Sequence, residues 1–255
     1  MNNTTNSINK SSKAIILAAG FGKRLLPLTK DKPKAMIEIA NKPLIHHTIN
    51  WLTKNKIKDL AINLHYKPQI IVDYLGCGSR FNCNITYSKE KEILGTAGAV
   101  KKLKNYFDKD FFVIYGDTYT NLNLQKVIEF HRRNNAFMTI VIRKKENSKR
   151  KSNIIELNKY NQIIKYIEKP KKDEDQNLDQ NINYANCGIY FCNNNVTKYI
   201  PDGFSDFSYD VIPNLIKKEK IFAYVLDNKT YYAELGRLEK FEKYKKEIEN
   251  IILTQ

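Results

Sequence analysis

The chain has 255 residues, 42% of them hydrophobic, enough for a sizeable core and against disorder. Lys+Arg 43 against Asp+Glu 27 gives a formal charge of +16. The lysines are spread along the whole chain, which argues against nucleic acid as a partner and leaves a field able to steer an anionic substrate. The four cysteines, Cys77, Cys83, Cys187 and Cys192, form no CxxC pair and read as reduced cytosolic thiols. No early apolar run resembles a signal peptide and none reaches transmembrane length, so the expected setting is the cytoplasm with no membrane partner. Residues 1–12 are polar and rich in Asn and Ser, and read as a flexible tail before a single domain over 13–255.

Ala14 to Ala19 is an apolar run long enough for one buried strand, and it breaks at Gly20-Phe21-Gly22. Lys23 and Arg24 follow at once, Pro27, Thr29 and Pro33 keep the next residues out of a helix, and Lys34 ends the loop. Glycine admits backbone N–H groups to phosphate oxygens, and Arg and Lys neutralise the charge, so this loop suits a polyphosphate. A dinucleotide fingerprint would need a third glycine where Leu25 stands, and a P-loop would need Ser or Thr where Arg24 stands.

Further along, Met36 to Ile39 alternates like a short strand and Asn41-Lys42-Pro43 reads as a turn. Helical spacing covers Leu44 to Asn55, Lys67 to Leu75, Gly98 to Phe107 and Leu124 to Asn134. Between these lie strands at Asp59 to Leu64, Asn84 to Ser88, Phe111 to Tyr115 and Phe137 to Arg143. That rhythm predicts a mostly parallel sheet covered on both faces, with ligands at the carboxyl ends of its strands. Asn153 to Leu157, Ile163 to Glu168 and Ala185 to Cys192 have no helices between them and predict a small antiparallel part. Lys171 to Asn183 is charged and polar and reads as a surface loop. Phe204 to Lys218 reads as a helix, Ile221 to Leu226 and Tyr231 to Leu235 as strands, and Leu238 to Ile252 as an amphipathic helix. Val113 to Asp117 is an apolar strand ending in Gly-Asp, where a carboxylate offers hard oxygens to Mg²⁺.

The spacing of Gly20, Gly22, Arg24, Leu25, Pro27, Leu28, Thr29, Pro33 and Lys34 resembles the sugar-1-phosphate nucleotidylyltransferases. Four further stretches resemble the same family: Leu94-Gly95-Thr96-Ala97-Gly98-Ala99, Gly116-Asp117, Glu168-Lys169-Pro170 and Asn186-Cys187-Gly188-Ile189-Tyr190. Ile62 to Tyr66 and the LGTAGA run look most like mannose- or heptose-1-phosphate guanylyltransferases. The resemblance covers about residues 13 to 248. It implies a Rossmann-like three-layer α/β/α nucleotidyltransferase fold. The nucleotide-binding half would be about 13–145, the sugar-phosphate half about 146–236, and the closing helix 238–252. No room is expected for an appended β-helix.

The same resemblance implies that an NTP, with GTP favoured, and a sugar 1-phosphate give an NDP-sugar and pyrophosphate. The acceptor phosphate is already an anion, so no general base is required. Catalysis reduces to alignment and charge neutralisation. Arg24 is assigned to the β- and γ-phosphates and Lys34 to the α-phosphate. Ala18, Ala19, Gly20, Gly22, Gly95 and Thr96 are assigned to the nucleotide, with Gly95 and Gly98 giving backbone access where a flat base could lie. Glu168 and Asn186 are assigned to sugar hydroxyls and Lys169 to the sugar phosphate. Mg²⁺ is expected on Asp117 and Glu234. The chain departs from the family where relatives carry W-x-D-I-G-T-P-E: Glu234 replaces Asp, Arg237 Thr and Leu238 Pro. The glutamate moves its carboxylate by roughly 1.5 Å. Lys151-Ser152 is a second departure, where relatives often have Tyr-Gly near the sugar. Uridylyl-, thymidylyl- and cytidylyltransferases share the first loop, and a catalytically inactive nucleotide-sugar binder is an alternative. A homo-oligomer is left open.

Overall fold

The computed structural model describes residues 12–144, 153–170 and 184–254. Residues 1–11 of the expected tail, the Lys151-Ser152 departure and the Lys171 to Asn183 loop lie outside the described residues. In chain order the elements are β1 (Lys13–Leu17), β2 (Glu38–Ile39), β3 (Lys42–Pro43), α1 (Leu44–Lys54), β4 (Asp59–Leu64), α2 (Pro68–Leu75), β5 (Asn84–Lys89), α3 (Gly95–Lys102), β6 (Phe111–Tyr115) and β7 (Thr118–Thr120). There follow α4 (Leu124–Arg133), β8 (Met138–Lys144), β9 (Asn153–Leu157), β10 (Ile163–Glu168), β11 (Tyr184–Cys192), α5 (Ile212–Leu215), β12 (Ile221–Val225), β13 (Tyr232–Glu234) and α6 (Leu238–Leu253).

Seven strands form the central sheet in the order β12-β8-β11-β6-β1-β4-β5. Every neighbouring pair is parallel except those of β11, which runs antiparallel to β6 and β8. Both faces are covered. Ala14 and Ile16 of β1 pack in the cluster that holds Ile45 and Ile49 of α1, Ile71 of α2 and Val127 of α4. Ile15 points the other way, into the cluster of Ala97 and Val100 of α3 and Ile212 and Leu215 of α5. An uninterrupted apolar run is what a doubly covered parallel strand requires.

The strand order reverses at β1, which lies between β4 and β6. There the Gly116 N–H donates to the Leu17 carbonyl at 3.0 Å, and a Cβ on Gly116 would stand 2.5 Å from that oxygen. Only glycine permits this approach. It draws the carboxyl ends of β1 and β6 together and sends the Ala18 loop and Asp117 out at one place, the crevice where such sheets bind ligands.

A third apolar cluster lies off the sheet. It joins Leu25 of the first loop, Ile37, Ile39, Ala233 and Leu235 to Phe241 and Ile248 of α6. Leu25 is fully buried. Burying a leucine stabilises by about 1.5–3 kcal/mol, so this contact fixes the loop that carries Arg24.

Several expectations shift. Ala185 to Cys192 is not part of the small antiparallel unit; it is inserted into the central sheet, with six consecutive buried residues from Cys187 to Cys192. Only β9 and β10 form the separate antiparallel ribbon. The register of β11 against β8 shifts between Asn186 and Tyr190, where Gly188 takes φ +65° and the Tyr115 ring fills the space of its missing Cβ. The expected turn at Asn41-Lys42-Pro43 falls at Ala40-Asn41, both with positive φ, and Lys42–Pro43 pairs with Glu38–Ile39. The helix expected from Gly98 begins at Gly95 and ends at Lys102. The long helix expected over 204–218 is a π turn, Phe207–Val211, followed by α5, because Pro213 cannot donate to the helical ladder. Tyr232–Glu234 pairs with Thr118–Thr120 outside the central sheet, which brings Glu234 opposite Thr118, one residue beyond Asp117.

Helix α6 starts at an N-cap, Arg237, with extended backbone (φ −138°, ψ 148°) and no side-chain cap. A cation is unfavourable beside the positive end of the helix, and serine could accept a hydrogen bond there. Arg237→Ser is expected to stabilise the protein by about 1 kcal/mol. Urea unfolding at neutral pH measures it; an unchanged midpoint shows that the α6 terminus is satisfied in another way.

Candidate active site

The first loop folds on itself before it reaches the crevice. Gly22 adopts φ +67°, and a Cβ there would stand 2.8 Å from the Thr29 methyl and 3.2 Å from Lys34 Cβ. Thr29 Oγ1 donates back to the Gly22 carbonyl at 2.9 Å. The two ends of the loop therefore touch, and Arg24 and Lys34 leave it on the same side.

Lys34 contacts one carboxylate directly, and the Arg24 charge acts on the same group. Lys34 Nζ donates to Asp117 Oδ2 at 2.8 Å. Burial pushes the Asp117 carboxyl up, but the Lys34 and Arg24 charges outweigh it and hold the carboxyl below the ordinary aspartate range. Gly236 marks where the groups meet. A Cβ built on it would stand 2.7 Å from Asp117 Oδ2, 3.3 Å from Glu234 Oε1 and 3.6 Å from Arg24 Nη2. Residues from three distant parts of the chain thus surround one point. The Leu235 N–H donates to the Asp117 carbonyl at 2.8 Å and locks the two acidic segments together. Glu234 has a further partner that sequence reasoning did not find: its other oxygen, Oε2, accepts from Lys240 of α6.

Where the nucleotide is expected, the Ala18 N–H donates to buried Asn63 Oδ1 at 2.7 Å. Asn63 Nδ2 donates to Glu90 Oε1 at 2.9 Å, and Glu90 Oε2 accepts the Leu94 N–H at 3.1 Å. This buried network ties the Ala18 loop to the LGTAGA segment. A polar Asn within the apolar strand Ile62-Asn63-Leu64 was the available signal, since a buried amide must find partners. The Ala18 N–H is thereby engaged within the protein. Ala19 is buried, while Gly20 has open space where its Cβ would be.

The Cβ sides of Gly95 and Gly98 face a distant segment of the chain. A Cβ on Gly95 would stand 2.3 Å from the Ser205 carbonyl oxygen, and one on Gly98 2.5 Å from that of Gly203. The Ser205 carbonyl accepts from the Ala97 and Gly98 N–H groups, and Thr96 Oγ1 accepts from the Phe207 N–H at 2.9 Å. These small residues let the 203–207 segment lie flat on the start of α3.

The residues expected at the sugar form a second constellation. Asn186 Nδ2 donates to Tyr166 Oη at 3.0 Å and Tyr190 Oη at 2.7 Å, and its Oδ1 accepts the Gly188 N–H at 2.9 Å. Both donors of Asn186 are therefore used inside the protein. Tyr166 Oη in turn donates to Glu168 Oε2 at 3.2 Å. Burial, with the Asp206 and Glu234 charges, lifts the Glu168 carboxyl above its ordinary value despite that hydrogen bond and Lys169. Tyr232 of β13 ties this constellation to the first, its Oη donating to the Cys187 carbonyl of β11 at 2.9 Å. Lys169 has φ +46° and holds its ammonium 5.5 Å from the Tyr209 ring centre. All four cysteines are free, with Cys77 exposed and the rest buried. Among the described residues no helix is long and apolar enough to cross a membrane. A polar hollow of about 580 Å³ between Asn135–Phe137 and Lys217–Lys220 lies at the amino ends of β8 and β12 and includes none of the motif residues.

An open α/β sheet with two carboxylates and three cations gathered at its switch point is the architecture of a phosphate-handling transferase. The sequence model described as Nucleotidyl transferase matches residues 13–251, and the chain belongs to that family. It is 31% identical over 233 residues to a mannose-1-phosphate guanyltransferase of Yarrowia lipolytica, covering 90% of this chain and 62% of that protein. A mannose-1-phosphate guanyltransferase of Schizosaccharomyces pombe is 31% identical over 230 residues, 88% of this chain and 61% of its own length. The chain thus spans about three fifths of the length of these relatives. Among solved structures, HddC from Yersinia pseudotuberculosis superposes with a TM-score of 0.78 at 26% identity, covering 93% of this chain and 99% of HddC. HddC complexed with GMP-PN gives 0.77 at 25% identity, with the same coverage.

Asp117 is ionised at a lowered pKa, so it contributes stability above the ordinary aspartate range that is lost as pH falls through its folded value. Asp117→Asn is expected to cost about 1–3 kcal/mol at pH 7, and the difference from wild type should shrink in acid, where Asp117 itself protonates. Urea unfolding at pH 7 and in acid reads both. A pH-independent difference indicates that the Lys34 pair does not carry the effect.

Proposed function

We propose that the protein transfers a nucleoside monophosphate, GMP by preference, from an NTP to a sugar 1-phosphate of the mannose or heptose type, releasing pyrophosphate. The observation that carries this reading is the convergence of Arg24, Lys34, Asp117 and Glu234 on Gly236 at the β1–β6 crevice. The guanyltransferase names of the relatives and the GMP-PN complex of HddC support the choice of GTP.

The chemistry follows from charge. An incoming phosphate monoester and a triphosphate are both polyanions, and repulsion is the barrier to their alignment. Arg24 offers a planar fork for the β- and γ-phosphates, and Lys34 a mobile point charge for the α-phosphate. Lys34 must release Asp117 to do so, which leaves that carboxylate free for a cation. Asp117 and Glu234 fit Mg²⁺: the ion takes one or two carboxylates beside phosphate oxygens, and both carboxylates face the same point. Bound there, Mg²⁺ would supply Lewis-acid polarisation and a template for the α-phosphate. Residues of about 13–145 would hold the nucleotide, with Gly20 and Gly22 lining the phosphate approach. Gly95 and Thr96 would shape that pocket through the 203–207 segment. Glu168 would accept from sugar hydroxyls, and Lys169 would meet the sugar phosphate. Asn186 would orient Tyr166 and Glu168 for that task. The Lys240 contact of Glu234 favours one alternative, an inactive nucleotide-sugar binder whose metal site is blocked.

Pyrophosphate release from the four NTPs, with mannose and heptose 1-phosphates and Mg²⁺, separates the two readings. Turnover with GTP exceeding that with the other NTPs is expected, and absence of pyrophosphate with every pair leaves the binder. Lys34→Ala is expected to lower kcat by about 10²–10³-fold. A folded Lys34→Ala protein with turnover within a few-fold of wild type removes Lys34 from the reacting phosphate.

A further inference from the structure

Glu234 and Lys240 form an ion pair at the edge of the proposed two-carboxylate cation site. The longer side chain of Glu234 spans two environments. Its Oε1 faces the Gly236 point, with Asp117 Oδ2 and Arg24 Nη2, while its Oε2 is held by Lys240 on the first turn of α6. Phe241, the next residue, is buried in the cluster with Leu25 and Leu235, so the helix turn carrying Lys240 cannot drift away. At the crevice, two carboxylates, Asp117 and Glu234, are thus matched by three cations, Arg24, Lys34 and Lys240. Among these five groups the cations outnumber the carboxylates before any substrate is present, and Lys240 offsets part of the attraction that Glu234 offers a divalent cation.

We infer that Lys240 is a resident counter-cation that competes with the divalent metal at Glu234, so that metal is held only when nucleotide phosphates add their negative charge. The inference rests on the proposed Asp117–Glu234 metal site. Lys240 acts through Glu234 and is a positioning residue; it touches no reacting atom. Its effect is on when the metal can stay. Arg24 and Lys34 turn to the phosphates when nucleotide enters, whereas Lys240 remains on Glu234 and must be outweighed.

The test is Mn²⁺ binding to the full chain, with free ion counted by electron paramagnetic resonance, without nucleotide and with a non-hydrolysable GTP analogue. Without nucleotide, wild type is expected to hold Mn²⁺ weakly and Lys240→Met about tenfold more tightly, from removing one charge near a doubly charged ion. Lys240→Arg keeps the cation and is expected to match wild type. Adding Glu234→Gln to Lys240→Met should abolish the gain. Lys240→Gln serves as a second neutral variant, and a cooperative melt of either shows that α6 is intact. If both neutral variants bind Mn²⁺ no more tightly than wild type, while Asp117→Asn still weakens Mn²⁺ binding with the analogue, the inference is overturned and the metal site stands. If no protein holds Mn²⁺ even with the analogue, the metal reading falls and the inference with it.

Discussion

Asp117 is a carboxylate in a place where water cannot reach it freely, and the rest of the site is arranged around that fact. Taking an ion out of water costs several kcal/mol unless a partner of opposite charge is held close. Lys34 is that partner, and Lys34 is at the right place only because the loop from Gly22 closes on itself through Thr29. Leu25 fixes the loop from beneath, and α6 fixes Leu25. A chain of apolar contacts far from any chemistry therefore decides where two cations stand. The Lys34–Asp117 pair satisfies both charges within the protein and keeps them together at the crevice.

Glycines perform two different tasks in this molecule. At Gly116 and Gly236 the missing Cβ lets charged or backbone groups converge at the crevice. At Gly95 and Gly98 it lets a distant segment, 203–207, settle on the start of α3. The second task matters for the site because that segment leads into Asp206 and Ser208, and Ser208 Oγ lies within hydrogen-bond distance of Tyr166 Oη, at 3.2 Å, in the network around Asn186. Tyr190, linked to Asn186 and to Tyr115, extends the same network towards β6. The two halves of the crevice are thus joined by hydrogen bonds among buried groups. Such a network holds its geometry well, because each unsatisfied member in a low-dielectric interior is costly.

The ribbon of β7 and β13, which carries Glu234, lies outside the central sheet. A side chain on that ribbon is constrained by α6 and by Asp117, not by sheet packing. A longer acid can then find a new partner in the adjoining helix without disturbing β1 or β6. Lys240 is that partner, and its presence couples the charge balance of the crevice to the first turn of α6.

The amino-acid sequence alone determined the parts that depend on near neighbours. The apolar run Ala14 to Ala19, the glycines and prolines after it, the alternation of helical and extended periods, and the Gly-Asp at the end of β6 are all local signals. They led to the parallel sheet and to Arg24, Lys34 and Asp117 as a group. Only the tertiary structure decided which surfaces oppose one another. It placed β11 inside the main sheet, gave Ser205 and Gly203 to the faces of Gly95 and Gly98, engaged Asn186 with two tyrosines and paired Glu234 with Lys240. The reason is physical: backbone propensity and hydrophobic period act over a few residues, whereas the partner of a buried polar group is fixed by how the whole sheet and its helices close around it.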